Sequence, residues 1–227
     1  MESRFNAVPS PFPQKPPSPI LICFAVKVEA KFFLPASQKD GHRLLITGMG
    51  VRNASLGIRE ALTEVRPSLV VTAGFAGGLN PGLKVGTVVF DEDTEAGLSP
   101  SLLKLGAVAV RFHCATRVAV TAAEKQALWS SSGADVVEME SSAIRAICRE
   151  HKIPGATVRV ISDAAGEDLP LDFNALMTSE DQINYLKLLG MLLAGPQKIP
   201  RLMKFQKQIV VAARELADVL SRSLAAR

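Results

Sequence analysis

Short apolar, β-branched runs alternate with stretches of helical apolar spacing, and this alternation constrains the fold more than any other feature of the chain. Runs at residues 20–26, 44–47, 69–73, 87–90, 117–120, 136–140 and 156–162 read as strands. Between them, Asn53 is placed to cap a helix whose apolar residues Ile58, Ala61, Leu62 and Val65 fall at i, i+3, i+4 and i+7, and Pro67 ends it. Thr121-Ala122-Ala123-Glu124 is a capping box that opens a second helix, and Ser141 or Ser142 starts a third through Ile144, Ile147 and Cys148. Strand, helix, strand repetition defines an α/β chain with a parallel or mixed sheet covered by helices on both faces.

The chain has 227 residues, 48% hydrophobic and 21% charged, enough for one packed domain and incompatible with global disorder. Apolar runs such as 20–26 fall far short of the roughly 20 residues that span a bilayer, and no charged leader precedes a cleavage site, so a cytoplasmic protein is expected. Cys23, Cys114 and Cys148 are odd in number and none sits in a C-x-x-C pair, which argues against a disulfide framework or structural zinc. The net charge of +4 is unevenly placed: residues 183–227 hold eight Lys or Arg against two acids, leaving residues 1–182 at −2. No RNA-reading aromatic signature or zinc-finger spacing accompanies the basic tail, so a nucleic-acid partner is not expected. Six of the fourteen prolines fall before residue 20, so residues 1–19 read as an extended, flexible arm. Residues 20–227 then form one domain that ends in a basic helical segment broken at Gly195-Pro196 and Pro200.

In open α/β sheets ligands sit at the carboxyl ends of strands. There the sequence places Gly48-Met49-Gly50 and Gly74-Phe75-Ala76-Gly77-Gly78, where main-chain N–H groups can approach a ligand, or where the glycines merely serve tight turns. The stretch 48–53 approaches the G-x-G-x-x-G dinucleotide pattern, but Asn53 holds the sixth position and no acid ends a strand about 20 residues later, so no such cofactor is expected. In Val136-Val137-Glu138-Met139-Glu140-Ser141, residues i and i+2 of a strand share a side, so Glu138 and Glu140 converge and need a cation, a metal or ligand hydroxyls. The other reading puts one glutamate at a helix N-terminus and the other in solvent. Val158-Arg159-Val160-Ile161-Ser162-Asp163 is an apolar strand that delivers an acid, and a carboxyl kept protonated by burial can protonate a leaving group. Asp163 could equally cap the next segment. Glu29, just after the first strand, is unremarkable by itself.

In this order and spacing, Glu29, Gly48-Met49-Gly50, Thr72-Ala73-Gly74-Phe75-Ala76-Gly77-Gly78-Leu79, Val85-Gly86-Thr87, Val137-Glu138-Met139-Glu140 and Arg159-Val160-Ile161-Ser162-Asp163 resemble the nucleoside phosphorylase and nucleosidase superfamily. Over residues 20–171 the chain is most similar to the 5'-methylthioadenosine/S-adenosylhomocysteine nucleosidases. The resemblance implies a three-layer α/β/α sandwich with a twisted mixed central sheet. It also implies cleavage of the N-glycosidic bond of a purine nucleoside without metal or organic cofactor, and a homodimer. Residue by residue, Glu140 would accept hydrogen bonds from ribose hydroxyls, with Met139 under the sugar and Glu138 beside it. Asp163 would protonate N7 of the purine, Glu29 would orient or deprotonate water, and Gly48, Gly50, Gly74, Phe75, Ala76, Gly77 and the backbone near Val118 would line the substrate.

The departures decide between reactions. Phosphorylases of this superfamily hold phosphate around the glycine loops, and the matching positions here are Thr72 and Phe75, which favours hydrolysis; Arg52 keeps a phosphorolytic alternative open. A non-catalytic nucleoside-binding protein is the competing class. Thr121 to Lys125, Gly133-Ala134-Asp135 and the late segment 189–205 look more like the hopanoid-associated subgroup, which is associated with releasing adenine from a polycyclic lipid nucleoside. Residues 186–193 are apolar and are followed by Lys198, Arg201, Lys204 and Lys207, a pattern suited to a bulky apolar 5' group and to peripheral contact with an anionic membrane. A helix pair packed on the sheet is the other expectation for this segment.

Overall fold

The structure, a computed structural model, describes residues 18–33, 41–176, 178 and 199–227. The greater part of the proline arm and the apolar stretch 186–193 with Lys198 lie outside the described residues. In chain order the elements are β1 (Ile20–Phe24), α1 (Lys27–Ala30), β2 (Arg43–Ile46), α2 (Gly50–Glu64), β3 (Leu69–Gly78), β4 (Val88–Glu92) and α3 (Ser99–Lys104). They continue with β5 (Val108–Ala109), β6 (Phe112–Cys114), α4 (Ala122–Ser132), β7 (Val136–Glu138), α5 (Ser141–Glu150), β8 (Gly155–Asp163), α6 (Phe173–Leu176) and α7 (Ile199–Ala225).

The strands form one mixed sheet of order β2-β1-β3-β8-β4-β5, with β7 joining the end of β3 and β6 pairing β7. β3 and β8 run parallel at its centre over Val70 to Gly77, with a register shift between Ala76 and Gly77. Both are buried on two faces, which is why they read as near-continuous apolar runs. Alternation sorts β1 between two cores. Ile22 and Phe24 face a cluster closed by Ala212, Leu216 and Leu220 of α7, whereas Leu21 and Cys23 face Ala54 and Ile58 of α2 and Ile144, Ile147 and Cys148 of α5. The result is the expected three-layer α/β/α sandwich with a mixed sheet.

Local departures have identifiable causes. Residues 117–120 form no strand, because the side-chain amide of Asn174 takes both main-chain groups of Val118: its Oδ1 accepts from the Val118 N–H at 2.9 Å and its Nδ2 donates to the Val118 carbonyl at 2.9 Å. Those groups are therefore withdrawn from any ladder. α2 starts at Gly50 instead of after Asn53, and the Asn53 amide donates to the Met49 carbonyl at 3.0 Å. β5 and β6, of two and three residues, are too short to leave a period in the sequence. Thr121 does cap α4: its hydroxyl accepts from the Glu124 N–H at 3.1 Å while the Glu124 carboxylate accepts from Thr121 N–H at 3.0 Å. The last helix packs its C-terminal half, from Ala212 to Leu224, on the sheet.

Candidate active site

At the carboxyl ends of β1, β3, β7 and β8 lies a cavity of about 550 Å³. Asp163, Glu29, Glu138, Met139, Glu140, Phe75, Ala76, Gly77 and Val118 all line it. The rest of its lining is mostly apolar, with Val26, Val28, Met49, Leu169, Phe173, Leu202, Phe205 and Ile209, joined by Arg117 and Gln206. Four acids in one apolar cleft are all close to fully buried, at 5% exposure for Glu29 and Glu138 and 6% for Glu140 and Asp163. Burying carboxylates is unfavourable unless charge or hydrogen bonds compensate, and here both do.

The compensating charge is Arg159, 1% exposed and delivered by β8. Its Nη2 donates to Glu138 Oε2 at 2.7 Å and to Glu140 Oε2 at 3.3 Å, and its Nη1 donates to the Ala73 carbonyl at 3.3 Å. The strand of β7 ends at Glu138, and Glu140, at φ −130° and ψ −32°, is the residue that precedes α5. The two glutamates therefore converge through a shared guanidinium and not by strand alternation. Glu138 also satisfies the start of α5: it accepts from the N–H groups of Glu140 at 3.0 Å and Ser141 at 2.8 Å and from the Ser141 hydroxyl at 2.8 Å. Glu138 thus serves a helix N-terminus, but the other glutamate is not in solvent: Glu140 is buried.

Protonation differs among the three glutamates for physical reasons. Burial works to raise the Glu138 carboxyl, but Arg159 and the donors at the start of α5 outweigh it and hold the group below its ordinary value. Glu140 is pushed up to about 7, chiefly by burial, against Arg159 and with the charges of Glu138 and Glu29 adding to the rise. Burial also raises Glu29, in opposition to Arg159 and to three main-chain donors. Those donors are the N–H groups of Ala25 at 2.9 Å and Val26 at 3.1 Å, both to Oε2, and of Phe75 at 2.8 Å to Oε1. Glu29 reaches back from the first turn of α1 over the end of β1, which is how a short helix after a strand presents this acid to the cavity.

Gly48, Gly50 and Gly74 are not among the residues that line the cavity, although their chain neighbours Met49 and Phe75 are. The Gly50 N–H donates to Glu140 Oε1 at 2.9 Å. A Cβ on Gly74 would lie 2.4 Å from both Arg159 Nη1 and Glu29 Oε1, so only glycine admits the guanidinium and the carboxylate side by side. The N–H of Val118 is already committed to Asn174, so this residue faces the cavity without a free main-chain donor. Arg52 is exposed and does not line the cavity, and Thr72 is buried in the sheet with its hydroxyl on Thr157 at 3.3 Å.

Asp163, at the end of β8, is buried beside a cation. Its Oδ2 lies 2.5 Å from the ammonium of Lys125, a residue of α4 with no exposed surface, and its Oδ1 accepts from the Ser162 hydroxyl at 2.6 Å. Arg159 and Lys125 are the residues that sequence reasoning missed. Arg159 left a signal, a lone charge within an otherwise apolar strand four residues before Asp163 and so on the same face. Lys125 left none, because its partner is 38 residues away. Among the described residues, no three His, Cys, Asp or Glu side chains gather where a metal ion could be held. No helix among the described residues is long and apolar enough to cross a membrane.

This fold is found in solved nucleosidases. It is shared with the 5'-methylthioadenosine/S-adenosylhomocysteine nucleosidase of Campylobacter jejuni, at a TM-score of 0.66 and 17% identity over 92% of this chain and 100% of that one. A futalosine hydrolase mutant of Helicobacter pylori is as similar in fold, with a TM-score of 0.66, 15% identity and coverage of 92% and 100%. In sequence, the 5'-methylthioadenosine/S-adenosylhomocysteine nucleosidase of Tolumonas auensis is 27% identical over 169 residues, 59% of this chain and 74% of that protein. The model of the phosphorylase superfamily matches residues 37–116 and 103–189, more than half of the chain. The chain belongs to the phosphorylase superfamily.

Proposed function

We propose that the chain is an enzyme that hydrolyses the N-glycosidic bond of a purine nucleoside, with adenine as the leaving base and a bulky or apolar 5' group. The observation that carries the reading is the pairing of acids along β3. Phe75 holds Glu29 by its N–H, and Gly77 pairs with Asp163 just beyond the register shift. Residues two apart on a strand are separated by roughly 7 Å, a span that admits a sugar between a base and an acid. Glu29, whose carboxyl burial raises above its ordinary value, accepts a proton from the attacking water. Asp163 delivers one to N7 of the purine, and Glu140 and Glu138 stabilise the hydroxyls and the positive charge that develops on the ribose.

Hydrolysis is favoured over phosphorolysis because the phenyl group of Phe75 lines the cavity where an anion would need donors, while Arg52 stays outside it. The apolar outer wall, closed by Leu202, Phe205 and Ile209 of α7, supports a 5' substituent without charge. The name of the Tolumonas auensis relative agrees with an adenine nucleoside as substrate. Asp163→Asn tests the assignment: base release should fall about a hundredfold or more while nucleoside affinity stays within several-fold. Near-normal turnover in that variant contradicts it.

A further inference from the structure

Lys125 carries a charge into the core that the reaction outlined above does not use. An ammonium has three protons, and all three are committed: to Asp163 Oδ2 at 2.5 Å, to the Ala164 carbonyl at 2.8 Å and to the Glu167 carbonyl at 2.7 Å. Two of these acceptors are amide carbonyls, which do not take up a proton, and the third is a carboxylate, which does. Gly77 lines the cavity, and a Cβ there would lie 3.3 Å from Oδ2 and 3.9 Å from Oδ1, so Oδ2 is the oxygen nearer this cavity-lining glycine, while Oδ1 accepts from Ser162. Oδ2 therefore stands between a buried ammonium and the substrate space.

We propose that Lys125 is a positioning residue for glycosidic cleavage and stores the proton that the departing purine takes through Asp163. The inference rests on the hydrolytic reading. In the step, an Nζ–H bond of Lys125 breaks as an O–H bond forms at Asp163, and that proton passes on to N7 of the base. The bond between C1' of the sugar and N9 of the base breaks with its electron pair moving into the base. Water supplies hydroxide to C1' and its other proton to Glu29. Lys125 is left as a neutral amine and Glu29 as a neutral acid, and exchange with solvent through the emptied cavity returns the proton from one to the other. The ion pair thus lets a carboxylate act as the acid, and its two carbonyl bonds pin the 164–167 turn that leads to Leu169 and Phe173 on the cavity wall.

The test compares wild type, Lys125→Met and Lys125→Arg on 5'-methylthioadenosine and on p-nitrophenyl β-D-ribofuranoside, whose phenolate leaves without a proton. In K125M, kcat for the purine substrate should fall about a hundredfold or more, with KM within several-fold, while nitrophenol release falls no more than about threefold. K125R keeps the charge, but a guanidinium is too weak an acid to give up a proton, so it should resemble K125M. K125Q provides the same comparison should K125M fail to fold. Equal losses on both substrates would make Lys125 a fold support only, and no loss on either, or a purine rate restored in K125R, would overturn the proton store. A wild-type chain active on neither substrate brings down the hydrolytic reading and this inference with it, whereas an active wild type matched by K125M brings down the inference alone.

Discussion

The Nη2 atom of Arg159 lies 2.7 Å from Oε2 of Glu138, with both side chains buried. One guanidinium from β8 thereby fastens the end of β7 and the start of α5 to the centre of the sheet, and with them the two acids of the candidate ribose site. Removing it leaves Glu138, Glu140 and Glu29 in a low-dielectric pocket without a counter-charge. Breaking such a buried pair typically costs about 3–5 kcal/mol. Arg159→Met should lose stability on that order in urea unfolding at neutral pH, and a loss below about 1 kcal/mol would show that the acids are compensated elsewhere.

Gly74 separates the two charges that its missing side chain admits. Adding one methyl group forces Arg159 or Glu29 to move, because both lie within 2.4 Å of the Cβ position. Gly74→Ala should be destabilised by about 1–3 kcal/mol and should lose turnover more than its neighbour Gly78→Ala, whose Cβ meets nothing nearer than 3.3 Å. Parallel activity and melting measurements on the two variants check this. Equal behaviour would contradict it.

Glu140 ties stability to pH. Burial pushes its carboxyl up to about 7 in the folded protein from an ordinary value of 4.5, so between those values the native state holds a proton that the unfolded chain has released. Stability from this group is therefore fully present below about 4.5 and is lost as pH rises through about 7, by at most on the order of 3 kcal/mol. Glu140→Gln has no proton to lose in this window. Urea titrations at pH 5, 6.5 and 8 should show the wild type declining more steeply than the variant, and equal slopes would contradict the raised value.

Phe205 tests the apolar wall. It lines the cavity beside Leu202 and Ile209 and packs its ring against that of Phe173, with centroids 6.0 Å apart. Phe205→Ala should reduce the preference for an apolar 5' substituent over a 5' hydroxyl, measured as the ratio of kcat/KM for 5'-methylthioadenosine and adenosine, by about tenfold. An unchanged ratio would place the 5' group elsewhere.

The parts legible in the sequence were those whose cause is local. β3 and β8 show as apolar runs because central strands are buried on both faces, and the α4 start shows because Thr121 and Glu124 cap within four residues. Glu138, Glu140 and Asp163 stand out as acids at the ends of such runs. What escaped depends on distant partners. Residues 117–120 have strand-like composition, yet Asn174, more than fifty residues on, takes the main-chain bonds of Val118. Asp163 meets Lys125 from another helix, and the meeting of two glutamates is set by Arg159, whose reach across the sheet no spacing encodes.

The central claim is hydrolysis of a purine nucleoside, and the most direct measurement is chromatography of 5'-methylthioadenosine, adenosine and inosine after incubation with the protein, with and without phosphate. Free base in phosphate-free buffer, with the free sugar as co-product and 5'-methylthioadenosine consumed fastest, is the predicted result. Base release only when phosphate is present, with a ribose 1-phosphate product, or no release from any of the three nucleosides, would contradict it.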